Sequence, residues 1–167
     1  MEVKIKKVHP NAVIPTYATE DSAGMDLTVT KWEFDGYGNK VYYTGLAFEI
    51  PKGYAGFIFP RSSNAKKNLW LTNSVGIIDA DYRGEVTLKY KASIRVINTL
   101  WVRLKLFFKH SVRNNIGITN VWENTDYEVG DKCGQIVIMP FPQIEFKEVK
   151  ELSKTERGAG GYGSTGR

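Results

Sequence analysis

The chain has 167 residues, 42% hydrophobic and 25% charged, the size and balance of a single folded domain with enough apolar side chains for a core. It contains no run of about 18 apolar residues that would offer a membrane span, and its basic start, MEVKIKKVHPNAV, lacks the unbroken apolar stretch of a secretory leader. The net charge of +5 belongs to one segment: Lys89, Lys91, Arg95, Arg103, Lys105, Lys109 and Arg113 fall between Val86 and Trp122 with no acidic residue among them. Setting those seven aside leaves the rest near neutral, at −2.

In chain order, apolar residues recur at period two. Val3 and Ile5 open the series, followed by Leu27 and Val29, by Leu46, Phe48 and Ile50, and by Phe57 and Phe59. Val86, Leu88 and Tyr90 come next, then Ile94 and Val96, Ile136 and Ile138, and finally Ile144 and Phe146. Turn-forming clusters such as Asp35-Gly36-Tyr37-Gly38-Asn39 and Pro51-Lys52-Gly53 separate the runs. Many short strands with such punctuation predict an all-β sandwich or barrel. A short helix is predicted over about Ser63 to Trp70, with Ser63 or Asn64 as its N-cap. Leu100 to Phe108, LWVRLKLFF, is apolar with interleaved basic residues; alternation of Val102, Leu104, Leu106 and Phe108 favours a strand over a short helix. The last eleven residues, RGAGGYGSTGR, hold five glycines and form either a flexible end or a clamp that orders over a ligand.

Five segments carry chemistry. Ala23-Gly24-Met25-Asp26-Leu27 sets an acidic residue at a strand entry. Pro60-Arg61-Ser62-Ser63 follows the strand Gly56 to Phe59 and gives an arginine and two hydroxyls beside a helix start, a cradle for a phosphate or an exposed arginine beside a cap. Asn73 to Glu85, NSVGIIDADYRGE, reads as a hairpin. Asp79 and Asp81 sit near its bend, where an aspartate either caps backbone groups or takes a proton from water, and Tyr82 is placed to pack on a sugar. Gly130-Asp131-Lys132-Cys133-Gly134-Gln135 is a turn feeding a buried strand. In the tail, Arg157, Ser164 and Thr165 offer donors to phosphate, and Tyr162 offers a face for stacking on a base. His9 and His110 lack metal-ligand spacing, which argues against a zinc site or a Cys/His nucleophile. Cys133 reads as a small buried apolar residue. A single cysteine forms no internal disulfide, so a reducing, cytoplasmic setting is expected.

In order, AGMDL (23–27), PRSS (60–63), NSVGIIDADYRGE (73–85), GDKCGQIVIMP (130–140) and RGAGGYGSTG (157–166) resemble the five motifs of the trimeric dUTPase family. The resemblance implies a distorted β-barrel (jelly roll) domain over residues 1–156, with a flexible glycine-rich tail over 157–167. It also implies a homotrimer with swapped C-terminal tails and three active sites, each assembled from all three chains. By the same resemblance, Asp79 is the general base that activates water for attack on the α-phosphorus of dUTP, giving dUMP and pyrophosphate. Asn73 and the backbone of Gly76, Ile77 and Ile78 read uracil, and Tyr82 packs under the deoxyribose. Arg61, Ser62, Ser63 and Gln135 hold the phosphates, and Asp26 fixes a water on Mg2+, which the substrate phosphates otherwise hold. Tyr162 stacks on uracil, while Arg157, Gly163, Ser164 and Thr165 close on the γ-phosphate. An Mg2+-bound triphosphate keeps excess negative charge, so fixed cationic forks and N–H dipoles suit such a step.

The sequence departs from the family pattern at several points. Asn64 stands where an apolar residue is usual, which is expected to loosen the short helix, and Cys133-Gly134 replaces a common Ile-Ala pair. Tyr162 replaces phenylalanine and preserves stacking. The interval from Glu85 to Gly130 is about twice the family's usual length; the extra stretch, about 98–120, resembles an insertion in some bacteriophage members, for which the host cytoplasm is the expected location. Two rival functions follow. One is deamination of dCTP on the same barrel, against which the placement of Asp79 in GIIDADY argues. The other is a binding role in which the basic segment docks a protein or polyanion, or is instead a solvated β-arm strengthening the trimer.

Overall fold

A computed structural model describes residues 1–92 and 126–161. Its strands are β1 (Lys4–Lys7), β2 (Met25–Thr28), β3 (Lys31–Phe34), β4 (Lys40–Tyr43), β5 (Leu46–Glu49), β6 (Tyr54–Phe59), β7 (Leu69–Leu71), β8 (Gly76–Ile78), β9 (Thr87–Ala92) and β10 (Lys132–Pro140). Every strand pairing among the described residues is antiparallel. One sheet runs β2-β10-β6-β8, a second runs β3-β4-β9-β7, and β1 pairs with β5. The inner faces meet in one core, to which Leu27, Ile58 and Ile136 come from the first sheet, Tyr42, Leu88 and Tyr90 from the second, and Leu46 and Phe48 from β5. This is the all-β architecture that the alternation predicts, with the distorted jelly-roll barrel that the family resemblance implies. Among the described residues no helix is long and apolar enough to cross a membrane.

Local chemistry explains where the strands stop. Asp35 organises the β3–β4 turn: one carboxylate oxygen accepts the N–H groups of Tyr37 and Asn39, each at 2.9 Å, and the other accepts the Asn39 amide at 2.9 Å and Lys89 Nζ at 3.3 Å. At Asp126, Lys40 and Lys67 hold the chain. Lys40 is buried under the Trp32 ring and pairs with the Asp126 carboxylate at 3.0 Å, while Lys67 Nζ donates to the Asp126 carbonyl at 2.6 Å. Tyr42, Tyr90 and Tyr127 pack edge-on or tilted in the core, each hydroxyl hydrogen-bonded.

Several expectations need correction. The predicted helix is a 3-10 helix over Ser62–Lys66; Arg61 occupies the cap position without a side-chain cap bond, and Leu69–Leu71 turns back into strand to pair with β9. Asn64 does not loosen this helix. It is buried, its amide donates to the Leu69 carbonyl at 2.7 Å, and its oxygen accepts the Tyr127 hydroxyl at 3.0 Å, so a polar residue pins the turn to the core. The 73–85 segment is not a β-ladder hairpin, because β8 pairs with β6 while β9 pairs with β4 and β7; the chain crosses there between sheets. In β6 it is Ile58 that enters the core, while Phe57 and Phe59 are half-buried. Ile144 and Phe146 form no strand and are 69% and 92% exposed, since no described part of the chain lies alongside to pair with them. The readings for Ile94 and Val96, Leu100 to Phe108 and the 98–120 insertion fall outside the described residues.

Candidate active site

Antiparallel register brings three of the motif segments together. Gln135 on β10 lies opposite Asp26 on β2 and opposite Phe59 on β6, so the Asp26 and Gln135 side chains share the outer face of the sheet. Two residues past Phe59, Arg61 turns back, its Nε donating to Asp26 Oδ1 at 2.7 Å and its Nη1 to Ser63 Oγ at 3.4 Å. Gln135 Nε2 donates to the Pro60 carbonyl at 3.3 Å. Lys132, which the sequence did not single out, places Nζ 2.8 Å from Asp26 Oδ2. Burial pushes the Asp26 carboxyl up, but the Lys132 bond and the charges of Arg61 and Lys132 outweigh it, and its pKa is lowered overall. Two cations against one carboxylate leave a positive cluster suited to an anion. Ser62 stands exposed beside it.

A second cluster lies at the far edge of the same sheet. β8 has β6 on one side and no strand on the other among the described residues, leaving one row of its backbone N–H and C=O groups free of strand pairing. Ser74 adopts φ 60° and the Val75 N–H bonds to the Asn73 carbonyl at 2.6 Å, which sets Asn73 at the strand's entry. Asp79, exposed, follows its exit. A pocket of about 210 Å³ is lined by Ile77, Ile78, Asp79, Tyr82, Glu85 and Thr87. Tyr82 is fixed before any ligand arrives, because its hydroxyl donates to the Glu85 carbonyl at 3.2 Å and its ring lies over Gly84, where a Cβ would fall 2.3 Å from the hydroxyl. Glu85 is occupied in accepting the Gly45 N–H at 2.7 Å.

The two clusters are separate within one chain. Asp79 follows β8 at the level of Ala55, whereas Asp26 sits at the level of Phe59 and three strands away. Strand spacing and rise make that about 14 Å across and 13 Å along the sheet, roughly 20 Å in all. Arg157 belongs to neither cluster; its Nε donates to the Gly160 carbonyl at 2.9 Å within its own turn. Tyr162, Gly163, Ser164 and Thr165 lie outside the described residues. Cys133 is fully buried and its thiol is pushed up to about 12 by burial, as befits a core residue. No group of three or more His, Cys, Asp or Glu residues that could hold a metal occurs among the described residues.

The site is thus an all-β barrel whose edge strand leads to an exposed carboxylate, with a separate cationic cluster suited to an anion. The dUTPase family model matches residues 10–99. The deoxyuridine 5'-triphosphate nucleotidohydrolase of Nautilia profundicola is 39% identical over 171 aligned residues, covering all of both chains. That of Wolinella succinogenes is 34% identical over 169, covering 100% of this chain and 95% of its own. Among solved structures, the dUTPase of Staphylococcus bacteriophage 80alpha with dUPNHPP superimposes with a TM-score of 0.72 at 27% identity, covering 99% of each chain. The chain belongs to the dUTPase family.

Proposed function

We propose that this chain is a dUTP diphosphatase, hydrolysing dUTP to dUMP and pyrophosphate by attack of water on the α-phosphorus. Family membership supplies the activity, and one observation carries the mechanism: β8, whose outer edge pairs with no strand among the described residues, leads straight into Asp79. Uracil presents acceptor, donor and acceptor along one edge, a pattern that a strand's alternating backbone groups match; cytosine, with its amino group and bare ring nitrogen, does not. Gly76, Ile77 and Ile78 read that edge with Asn73, and Tyr82 packs beneath the deoxyribose, its fixed ring leaving no room for a 2′-hydroxyl. Asp79 then takes the proton from the attacking water.

Arg61, Ser62, Ser63 and Gln135 grip the phosphates. Since that cluster lies roughly 20 Å from Asp79 by strand spacing and rise, a distance that the triphosphate chain of one nucleotide does not span, the two halves of each site come from different subunits of a homotrimer. The exposed arm supports exchange between subunits, for Ile144, Phe146, Val149 and Leu152 all stand in solvent in the single chain. Arg157, Tyr162, Gly163, Ser164 and Thr165 complete the site from the exchanged tail. Mg2+ would fit without a cluster of protein ligands: substrate phosphates would hold it, and Asp26, whose two oxygens keep lone pairs beyond the bonds to Arg61 and Lys132, would order a water on it. Bound there, the metal neutralises phosphate charge.

The test is pyrophosphate release from a panel of deoxy- and ribonucleoside triphosphates, with and without Mg2+. Release from dUTP alone is expected. Ammonia release from dCTP would instead identify a deaminase on the same barrel. The segment at about 98–120 lies outside the described residues; loss of a bound partner on deleting it, with turnover intact, would favour a docking role over a solvated β-arm.

A further inference from the structure

From the register of β10 we infer that Lys132 is a positioning residue of the phosphate site, placed there by a β-bulge at Cys133. This rests on the dUTPase reading above. Lys132 pairs with Thr28 and Gly134 with Leu27, so Cys133 is an extra residue that β2 does not match. In an unbroken strand Lys132 would share the inward face of Gly134 and Ile136. The bulge places Cys133 and Gly134 both inward: the Cys133 side chain is fully buried, and a Cβ on Gly134 would fall 2.3 Å from Leu88 Cδ2. Lys132 is thereby turned to the face of Asp26 and Gln135. From opposite Thr28 its side chain reaches two residues along β2, to Asp26 Oδ2 at 2.8 Å.

The consequence runs through Asp26 to Arg61. Lys132 holds one carboxylate oxygen while Arg61 Nε holds the other at 2.7 Å, which fixes the carboxylate plane and so the direction of the guanidinium. The remaining guanidinium N–H groups are left to face the phosphates. Lys132 is half-exposed, its side chain 53% accessible, and ion pairs of this kind add little to stability. Its value to the molecule is therefore orientation of Arg61.

The experiment measures affinity for the non-hydrolysable α,β-imido analogue of dUTP, with Mg2+ and again in chelator, together with melting temperatures. The proteins compared are wild type, K132M, K132R, D26N and the double variant D26N/K132M. K132M is expected to bind about fivefold more weakly at unchanged melting temperature, K132R to restore binding, and K132M to add no loss in the D26N background. Wild-type affinity in K132M would overturn the inference, as would an undiminished loss in the D26N background, which would mean that Lys132 contacts phosphate directly. A wild type that neither binds the analogue nor hydrolyses dUTP would overturn the functional reading itself, and the role of Lys132 with it.

Discussion

Asp79, the proposed base, makes few contacts of its own; it stands exposed past the end of β8, with the Tyr82 N–H on its carbonyl at 3.1 Å. A side chain this free of structural duties can be changed without disturbing the barrel. Asp79→Asn keeps size and polarity but loses the basic oxygen, so kcat for pyrophosphate release is expected to fall about a hundredfold or more. Affinity for the imido analogue should stay within a small factor of wild type, checked by titration alongside single-turnover kinetics. Asp26 is the opposite case, held by two cations, and its replacement is expected to disturb ground-state binding of the triphosphate. Asp79, Arg61 and Asp26 were all legible in the sequence because their motifs are short and contiguous. Lys132 was not, because its direction depends on an extra residue in a strand pairing that no single stretch of sequence displays.

At the scale of elements, alternation located β1, β2, β5, β6, β9 and β10 but not β3, β4 or β7; β3 is exposed throughout and β4 holds three consecutive buried residues, so neither carries a period of two. The sequence misled in three further places, each for a physical reason. Asn64 is polar yet buried, because Leu69 and Tyr127 satisfy both ends of its amide. Ile144 and Phe146 alternate yet make no strand, because no described neighbour offers a ladder. The 73–85 segment has turn chemistry at its bend, yet its two strands part to different sheets. The β3–β4 turn yields a pH prediction. Asp35 is held well below the ordinary value of 3.8, first by the Asn39 amide and then by backbone N–H groups. A carboxyl with its folded pKa below its unfolded one contributes stability that is fully present above the unfolded value and is lost as the pH falls through the folded one. Asp35→Asn is therefore expected to melt below wild type at pH 7, with the gap closing as the pH drops below about 4; thermal unfolding across pH 2.5 to 7 checks this.

The whole molecule is where a single chain stops being sufficient. The two clusters lie apart by roughly 20 Å of sheet, and the arm after Pro140 leaves apolar side chains in solvent, so the proposed trimer would both cover that surface and complete the site. Truncation after Glu156 removes Arg157 and the glycine-rich tail but spares the arm. Turnover is expected to slow by at least tenfold, in line with the loss of several charge-assisted contacts, while the trimer persists by size-exclusion chromatography with light scattering. An intact rate in that variant would remove the tail from the site.

The most direct measurement is complementation between two inactive chains. Asp79→Asn and Arg61→Gln variants, differently tagged and co-expressed, are purified as mixed oligomers and assayed for pyrophosphate release from dUTP. If each site takes Asp79 from one subunit and Arg61 from another, about one site in three of each mixed trimer regains both wild-type groups, and activity returns to about that share. Mixed oligomers no more active than the two parents would place both groups in one chain's site and contradict the account.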